Sequence, residues 1–447
     1  MTAPVPLPAR TDVSGLALRA VRAASSAAAR AAGVDLSPGD AEFDTALDAA
    51  LDPARIAVAY TSERWLRLGG EPHSAFAPLS GFFRASDGWV RTHANYPHHR
   101  AALLGALSLG ESLGERLDES DGAGRAALAA AVASRRVADV CAAVTGAGGL
   151  AVAVRREDPQ ADAAWRTRPL VEISRIGDAP PRPRERADRD APLRGIRVLD
   201  LTRVIAGPVA TRTLALLGAD VLRIDPPQMP EIPAQHLDTG HGKRSALLDL
   251  RTPPGSARAG ELLQSADVVA LGYRQAGLER LGLWPRVLAE RRPGVVVVRL
   301  TAWGDGARRG FDSLVQADCG LSLIEQHDPG APGDTGIPGV LPAQALDHSA
   351  GYLLAAAAIE ALDRRAREGG SWLVETSLRR VAAELLGMPR TDEPTPRDPL
   401  TGAAGHTQSF EVAGAEVVTA APAIAYPGAP TRFAPPRPWG GDEPAWW

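Results

Sequence analysis

Cysteine is almost absent: Cys141 and Cys319 are the only two in 447 residues. That excludes a disulfide framework and a cysteine-built zinc or iron–sulfur site. Lysine is rarer still, with Lys243 the single lysine among 49 basic residues; beside the abundant alanine, this reflects a GC-rich genome more than a function. No run of ~18 apolar residues occurs, so no segment is expected to span a membrane. The start, MTAPVPLPARTDVSG, has neither the basic opening nor the apolar stretch of a secretory signal, and a cytoplasmic protein is expected. The net charge of −4 disfavours nucleic acid as a partner. Glycine and proline, 45 and 38 residues, are too few and too dispersed for a collagen-like or wholly disordered chain.

What is present is ordinary globular composition, 45% hydrophobic and 23% charged. At ~100–200 residues per domain the length suggests two or three domains. Residues 178–192, DAPPRPRERADRDAP, and 389–401, PRTDEPTPRDPLT, combine proline with alternating charge and read as solvated linkers. They divide the chain into 1–177, a linker at 178–192, a central unit at 193–388, and a linker and tail at 389–447. In the first segment, 15–32 and 124–144 have the spacing of amphipathic helices, and the D-G turn within SGFFRASDGWVRTHANYP predicts a hairpin.

The central unit alternates differently. Short β-branched runs at 196–201, 220–225, 245–250, 267–271, 294–300 and 372–377 are separated by helix-like stretches such as 207–217, 255–265 and 351–366. That pattern predicts an α/β fold: an open, mostly parallel, Rossmann-like sheet flanked by helices, with a smaller α+β domain ahead of it.

Several motifs fail on inspection. TGHGKRS (239–245) resembles a phosphate loop, but Arg244 stands where Ser or Thr would meet magnesium. The turn after the first central strand holds AGP, not G-x-G-x-x-G. His93, His98 and His99 cluster without a carboxylate or cysteine at metal-ligand spacing and read as a surface loop. No G-x-S-x-G elbow is present. Arg203, Arg251, Arg274 and Arg280 fall near strand exits, where α/β folds bind ligands. They suit a polyanion such as a phosphorylated cofactor, or are solvated surface charge; the residues alone leave both open.

Five ordered segments then carry a resemblance: PLRGIRVLDLTRVIAGPVATRTLALLGADVLRIDPP (192–227), GKRSALLDLR (242–251), ADVVALGYRQAGLERLGL (266–283), GFDSLVQADCGL (310–321) and ALDHSAGYLLAAAAIEALDRR (345–365). Together they resemble the class III CoA-transferases of the CaiB–BaiF type, a family that includes formyl-CoA and carnitine-CoA transferases and α-methylacyl-CoA racemases. The resemblance implies CoA transfer from an acyl-CoA thioester to a carboxylic acid, through an aspartyl mixed anhydride and an aspartyl-CoA thioester. Coenzyme A and acyl-CoA would be substrates; no permanently bound cofactor and no metal is implied.

Asp347 matches the family's nucleophile, in a D-x-x-x-G segment completed by Gly351. Placed before the expected helix 349–366, it is either that helix's N-cap or a carboxylate held ionised by the helix dipole. By the same resemblance, CoA contacts fall on Val204, Ile205 and Ala206, on Leu248 and Arg251, on Gly272, Tyr273 and Arg274, and on Arg280 and Arg309. Gly148–Gly149 and Gly440–Gly441 are candidates for the glycine loop that would hold the oxyanion.

In two respects the chain departs from the pattern. The family's α/β unit normally comes first, whereas here residues 80–107 resemble its small domain and precede it, so the chain looks circularly permuted, or like one half of a fused double-length enzyme. Racemases place a His before the Asp of a G-H-D segment, and here Phe311 fills that position. A phenyl ring cannot exchange a proton, which leaves a racemase, or a non-catalytic CoA-binding subunit, as the alternatives to a transferase. Family members form interlocked dimers, so a homodimer is expected.

Overall fold

The computed structural model describes residues 3–34, 41–73, 76–110, 122–183, 188–326, 336–396 and 400–447. The strands are β1 (Ala9–Thr11), β2 (Arg67–Leu68), β3 (Glu71–Pro72), β4 (Gly81–Ala85), β5 (Gly88–Thr92), β6 (Ala151–Ala153) and β7 (Glu172–Gly177). The central unit adds β8 (Arg197–Leu201), β9 (Asp220–Asp225), β10 (Lys243–Leu247), β11 (Val268–Leu271), β12 (Val296–Thr301) and β13 (Ser371–Ser377). After it come β14 (Arg390–Thr395), β15 (Thr407–Val412) and β16 (Ala415–Ala420).

Alternation with a period of two builds the main sheet. Along β8, Val198 faces one apolar core and Leu199 the other; Val268 and Val269, then Val296 and Val297, divide in the same way. Both faces are therefore buried, which is why these strands read as continuous β-branched runs. The seven strands run in the order β10-β9-β8-β11-β12-β13-β7. Six are parallel, and β7 pairs antiparallel with β13 at the edge. The chain reverses its direction of travel between β8 and β11, so the loops after these two strands open a crevice at their carboxyl ends, the place where such sheets take ligands.

Two of the expected elements are displaced. Strand β10 starts at Lys243, ahead of the apolar run SALLDL. Its first two side chains are cations, yet both are buried and paired: Lys243 Nζ lies 3.1 Å from Asp200, and Arg244 lies 2.6 Å from Asp220. The expected helix 124–144 is two helices, Gly122–Ala133 and Val137–Gly146. The β4–β5 turn docks on the break: Asp87 accepts from Val137 N at 2.7 Å, and Ser86 N donates to Arg135 O at 2.9 Å.

The flanking segments fold onto the central unit and onto each other. β14 lies inside the stretch expected as a solvated linker; it pairs with β1, although all six of its residues stay exposed. β2 pairs with β16, joining the first and last segments in one four-stranded sheet. In the 178–192 stretch, Ala179 O accepts from Gly370 N at 2.8 Å and Arg189 O from Tyr426 Oη at 2.8 Å; residues 184–187, and 397–399 of the second linker, fall outside the described residues.

The Ala-rich helix Val13–Ala31, opened by an Asp12 side chain that accepts from Gly15 N, packs along the helix Ala345–Glu368. That long helix in turn lies against the helix Ala206–Leu216. A Cβ at Gly351 would stand 2.7 Å from Ala206 O and 2.8 Å from Val209, so the glycine permits the close crossing.

The lone lysine is structural. Burial pulls its ammonium down to about 8 against the attraction of Asp200, whose carboxylate also accepts from Thr202 and Thr211. Lys243→Ala would remove the cation hydrogen-bonded to that buried carboxylate, leaving only the more distant Arg223, and is expected to lower unfolding free energy by about 3 kcal/mol in a denaturant titration.

Candidate active site

Asp347 is the third residue of the helix Ala345–Glu368, whose N-cap is Gln344 with no side-chain cap bond. The N-cap reading is therefore overturned, and so is the expected start of the helix at 349. The end of this helix is capped from a distance. Asp312, in the GFD segment, accepts from Asp347 N at 2.9 Å, and its other oxygen accepts from Gln316 Nε2 at 2.5 Å. Gln316 Oε1 in turn accepts from Leu341 N at 3.0 Å, fixing the approach to the helix.

Electrostatics follow from this arrangement. The N–H groups that would favour an anion serve Asp312, while among the described residues the Asp347 carboxyl has no hydrogen-bond partner. Burial, and then the adjacent Asp312, push Asp347 well above the usual carboxylate range. Burial pushes Asp312 up to about 6, against the backbone N–H of Asp347 and the amide of Gln316. The expectation that the helix dipole holds Asp347 ionised thus fails, because the dipole is already compensated.

Asp347 borders a cavity of about 80 Å³ that also has Val204, Ile205, Ile232 and Phe311 in its wall. The N-terminal segment supplies the opposite wall through Glu63, Leu66, His93 and Tyr96. This is the crevice outside β8. Val204 adopts φ 72°, a left-handed backbone that a β-branched residue rarely takes. Glu231 restrains it, accepting from Val204 N at 3.3 Å, Arg223 at 3.0 Å, Arg203 at 3.3 Å and Tyr96 Oη at 2.6 Å. Burial opposes ionisation of Glu231, but Arg223 and Arg203 outweigh it and hold the carboxyl at about 2.

Residues 193–429 match the model of CoA-transferase family III. The chain belongs to that family. A protein of Mycobacterium tuberculosis, named as a probable fatty acyl-CoA transferase, is 33% identical over 230 residues, 46% of this chain and 57% of that protein. A succinate–glutarate CoA-transferase of Agrobacterium fabrum is 33% identical over 172 residues, 34% of this chain and 43% of that enzyme. A crystal structure of a CaiB/BaiF family protein from Brucella suis covers 51% of this chain and 65% of its own, at 24% identity and a TM-score of 0.39. The chain spans about half the length of the curated relatives it matches.

The family member brings only part of its expected site together. Val204, Ile205 and Asp347 meet at the cavity, and Ala206 starts the helix behind them. Gly272 and Tyr273 follow β11 on the other side of the crevice; Gly272 N donates to Leu201 O at 3.2 Å, and Tyr273 Oη is buried without a partner among the described residues. Arg274 is exposed beside them, close enough that its charge, after burial, helps lower Arg309. Arg309 itself donates to Gly148 O at 2.9 Å.

The remaining expected contacts stand outside the cavity wall. Arg280 is exposed at the end of the helix Gln275–Arg280, Leu248 packs against the second core, and Arg251 is exposed and paired with Asp249 at 2.8 Å. Neither glycine pair has a free N–H. Gly148 and Gly149 donate to Thr145 O and Val144 O, Gly440 to Ser245 Oγ and Gly441 to Pro438 O.

The histidine cluster is the largest miss. His98 is exposed, but His93 and His99 are buried, and His93 stacks on Phe311 at 3.8 Å between centroids. Burial lowers both buried imidazoles to about 3, so they are neutral. Nothing local marked this burial: the alternation H-A-N-Y after β5 would put His93 on the outer face, and four imidazole and amide side chains in seven residues look polar.

A carboxyl raised by burial favours folding while protonated, and that contribution is lost as pH climbs from ~4 through its native pKa. Asp347→Asn removes the group and relieves Asp312. It is expected to gain stability over the parent as pH rises from 4 to 8, measured by urea unfolding, with the two proteins closest at the acid end.

Proposed function

We propose that this chain transfers CoA from an acyl-CoA to a carboxylic acid, with Asp347 as nucleophile. The observation that carries the reading is the position of Asp347: a carboxyl without hydrogen-bond partners among the described residues, in the cavity at the sheet's crevice, in a member of family III. Ionised Asp347 attacks the thioester carbonyl; the C–S bond breaks, CoA leaves as thiolate, and an aspartyl–acyl anhydride remains. The thiolate then attacks the aspartyl carbonyl, releasing the acyl carboxylate and leaving an aspartyl-CoA thioester. The acceptor carboxylate reverses these steps. Thioester is exchanged for thioester, so no ATP is consumed. A carboxylate that burial makes more basic is also the better nucleophile once its proton has left.

In this reading Arg274 and Arg309 meet CoA phosphates at the rim, while Val204, Ile205, Ala206, Gly272 and Tyr273 line the path inward. Leu248, Arg251 and Arg280 would contribute at the far end of the nucleotide. Phe311 in place of a proton-exchanging residue favours transfer over racemisation. Asp347→Ala is expected to abolish isotope exchange between an acyl-CoA and its free acid while retaining CoA affinity. Arg274→Ala is expected to weaken CoA binding by about 1–3 kcal/mol in calorimetry. Wild-type exchange in the Asp347 variant would refute the mechanism.

The reading includes the domain order: residues 1–177 as a small domain placed ahead of the α/β unit at 193–388, with 389–447 returning to it, except that β7 (Glu172–Gly177) pairs with β13 and so belongs to the α/β sheet. The pairing of β1 with β14 and β2 with β16 supports it, since a permuted chain needs its flanks side by side. It also extends to a homodimer in the cytoplasm. Light scattering is expected to give about twice the 46.8 kDa chain mass, and a fully active monomer would remove that part.

A further inference from the structure

The cavity beside Asp347 is poor in one kind of group. Its wall carries apolar side chains, among them Leu66, Ile232 and Phe311, together with neutral amides such as Gln235 and Gln344. Two further carboxyls, Glu63 and Asp238, face it, and among the described residues no Lys or Arg does. The guanidiniums nearby stand behind the wall or at its edge: Arg91 is buried over the Phe76 and Phe82 rings, and Arg64 lies 3.9 Å from Glu63. Arg203 and Arg223 hold Glu231, and Arg212 donates to Asp238 O at 2.6 Å while lying 5.0 Å from the Phe433 ring. His93 is neutral by burial, and His73 stands exposed.

From this wall we infer that the acyl groups handled at Asp347 are short, apolar and monocarboxylic, and that dicarboxylic acyl groups are rejected; the inference rests on the transferase reading above. A succinyl-type substrate carries its thioester to Asp347 and its second carboxylate into the cavity. That carboxylate loses its water and finds carboxyls rather than a counter-ion, a penalty no neutral chain of the same length meets. Burial already works against charge at this wall: it pushes Glu63 up to about 7, and it raises Asp238 despite Arg212 and the hydrogen bond from Ser62 Oγ. The same space must admit the acceptor, so the rule applies to both acids. Positive charge stands outside the cavity wall, where Arg274 follows β11 exposed and the half-buried Arg309 lies close enough to feel its charge.

The test is isotope exchange on the full chain, in which each acyl-CoA exchanges with its own labelled free acid, so that donor and acceptor are matched. Butyryl-CoA with butyrate and succinyl-CoA with succinate have equal chain length and differ in one terminal charge. Butyryl exchange is expected to exceed succinyl exchange by about 100-fold in kcat/KM. Equal rates, or faster succinyl exchange, would overturn the inference while leaving the transferase reading standing. No exchange with any C2–C6 mono- or dicarboxylic pair would remove that reading, and the inference with it. Gln235→Arg places a guanidinium in the wall and is expected to raise the succinyl-to-butyryl ratio at least about tenfold; an unchanged ratio in a folded variant counts against charge as the selector.

Discussion

The site depends on one capping interaction made across 35 positions of sequence, in which the Asp312 carboxylate closes the start of the helix Ala345–Glu368. A helix of that length carries a partial positive charge at its first turn that something must compensate. Had Asp347 done so itself, it would be a stable, poorly reactive anion. Asp312 takes the N–H groups instead, held in turn by Gln316, and Asp347 is left to a dry wall and a neighbouring carboxyl. The arrangement is unfavourable for stability and favourable for chemistry, a division seen wherever two carboxyls have environments that push their affinities for protons apart.

The second constraint is cover. A doubly wound sheet leaves its carboxyl-end crevice open, and the first segment of this chain closes it. Tyr60 shows how closely the two parts are joined: its hydroxyl lies 3.0 Å from Ser349, and its ring stacks with His348 at 5.2 Å and Tyr352 at 6.0 Å, one turn beyond Asp347. Tyr96 reaches the Val204 loop through Glu231. The cavity wall is thus built within one chain from parts separated by more than two hundred residues, and displacement of the first segment would expose Asp347 to water and erase the raised proton affinity that burial creates.

Much of this was legible where the information is local. The apolar β-branched runs in RVLDL, DVLRID and VVVV mark strands buried on both faces, and the helices between them point to a parallel sheet. Asp347 and the 204–205 loop were found by motif, and the geometry unites them. What was not legible depends on contacts between distant segments. Strand β10 opens with two cations made tolerable by Asp200 and Asp220, with Pro208 O and Ala445 O accepting from them as well. The break at 134–136 exists because the β4–β5 turn supplies hydrogen bonds there. His93 and His99 look like surface residues until Phe311 arrives from the central unit to cover them. Arginines could be counted at strand exits, but whether each was free or engaged could not be read from the sequence: Arg203 is consumed by Glu231, and Arg274 is not within the ion cluster.

That consumption of charge has a spatial consequence. Glu231 collects Arg203, Arg223, Tyr96 and the amide of Val204 into one buried cluster, which fixes a strained loop and uses the nearby cations to do it. Buried ion pairs contribute little net stability against well-packed apolar groups, but breaking one leaves a charge that the interior cannot solvate. The cluster therefore resists rearrangement and keeps its guanidiniums out of the cavity. Inside lies a narrow space around Asp347 lined by apolar groups, amides and carboxyls; outside lie exposed arginines with solvent-facing charge. In the proposed reaction those are the two halves of the substrate, a polyanionic carrier and a small acyl group, and the same carboxylate that holds the loop in place keeps their environments apart.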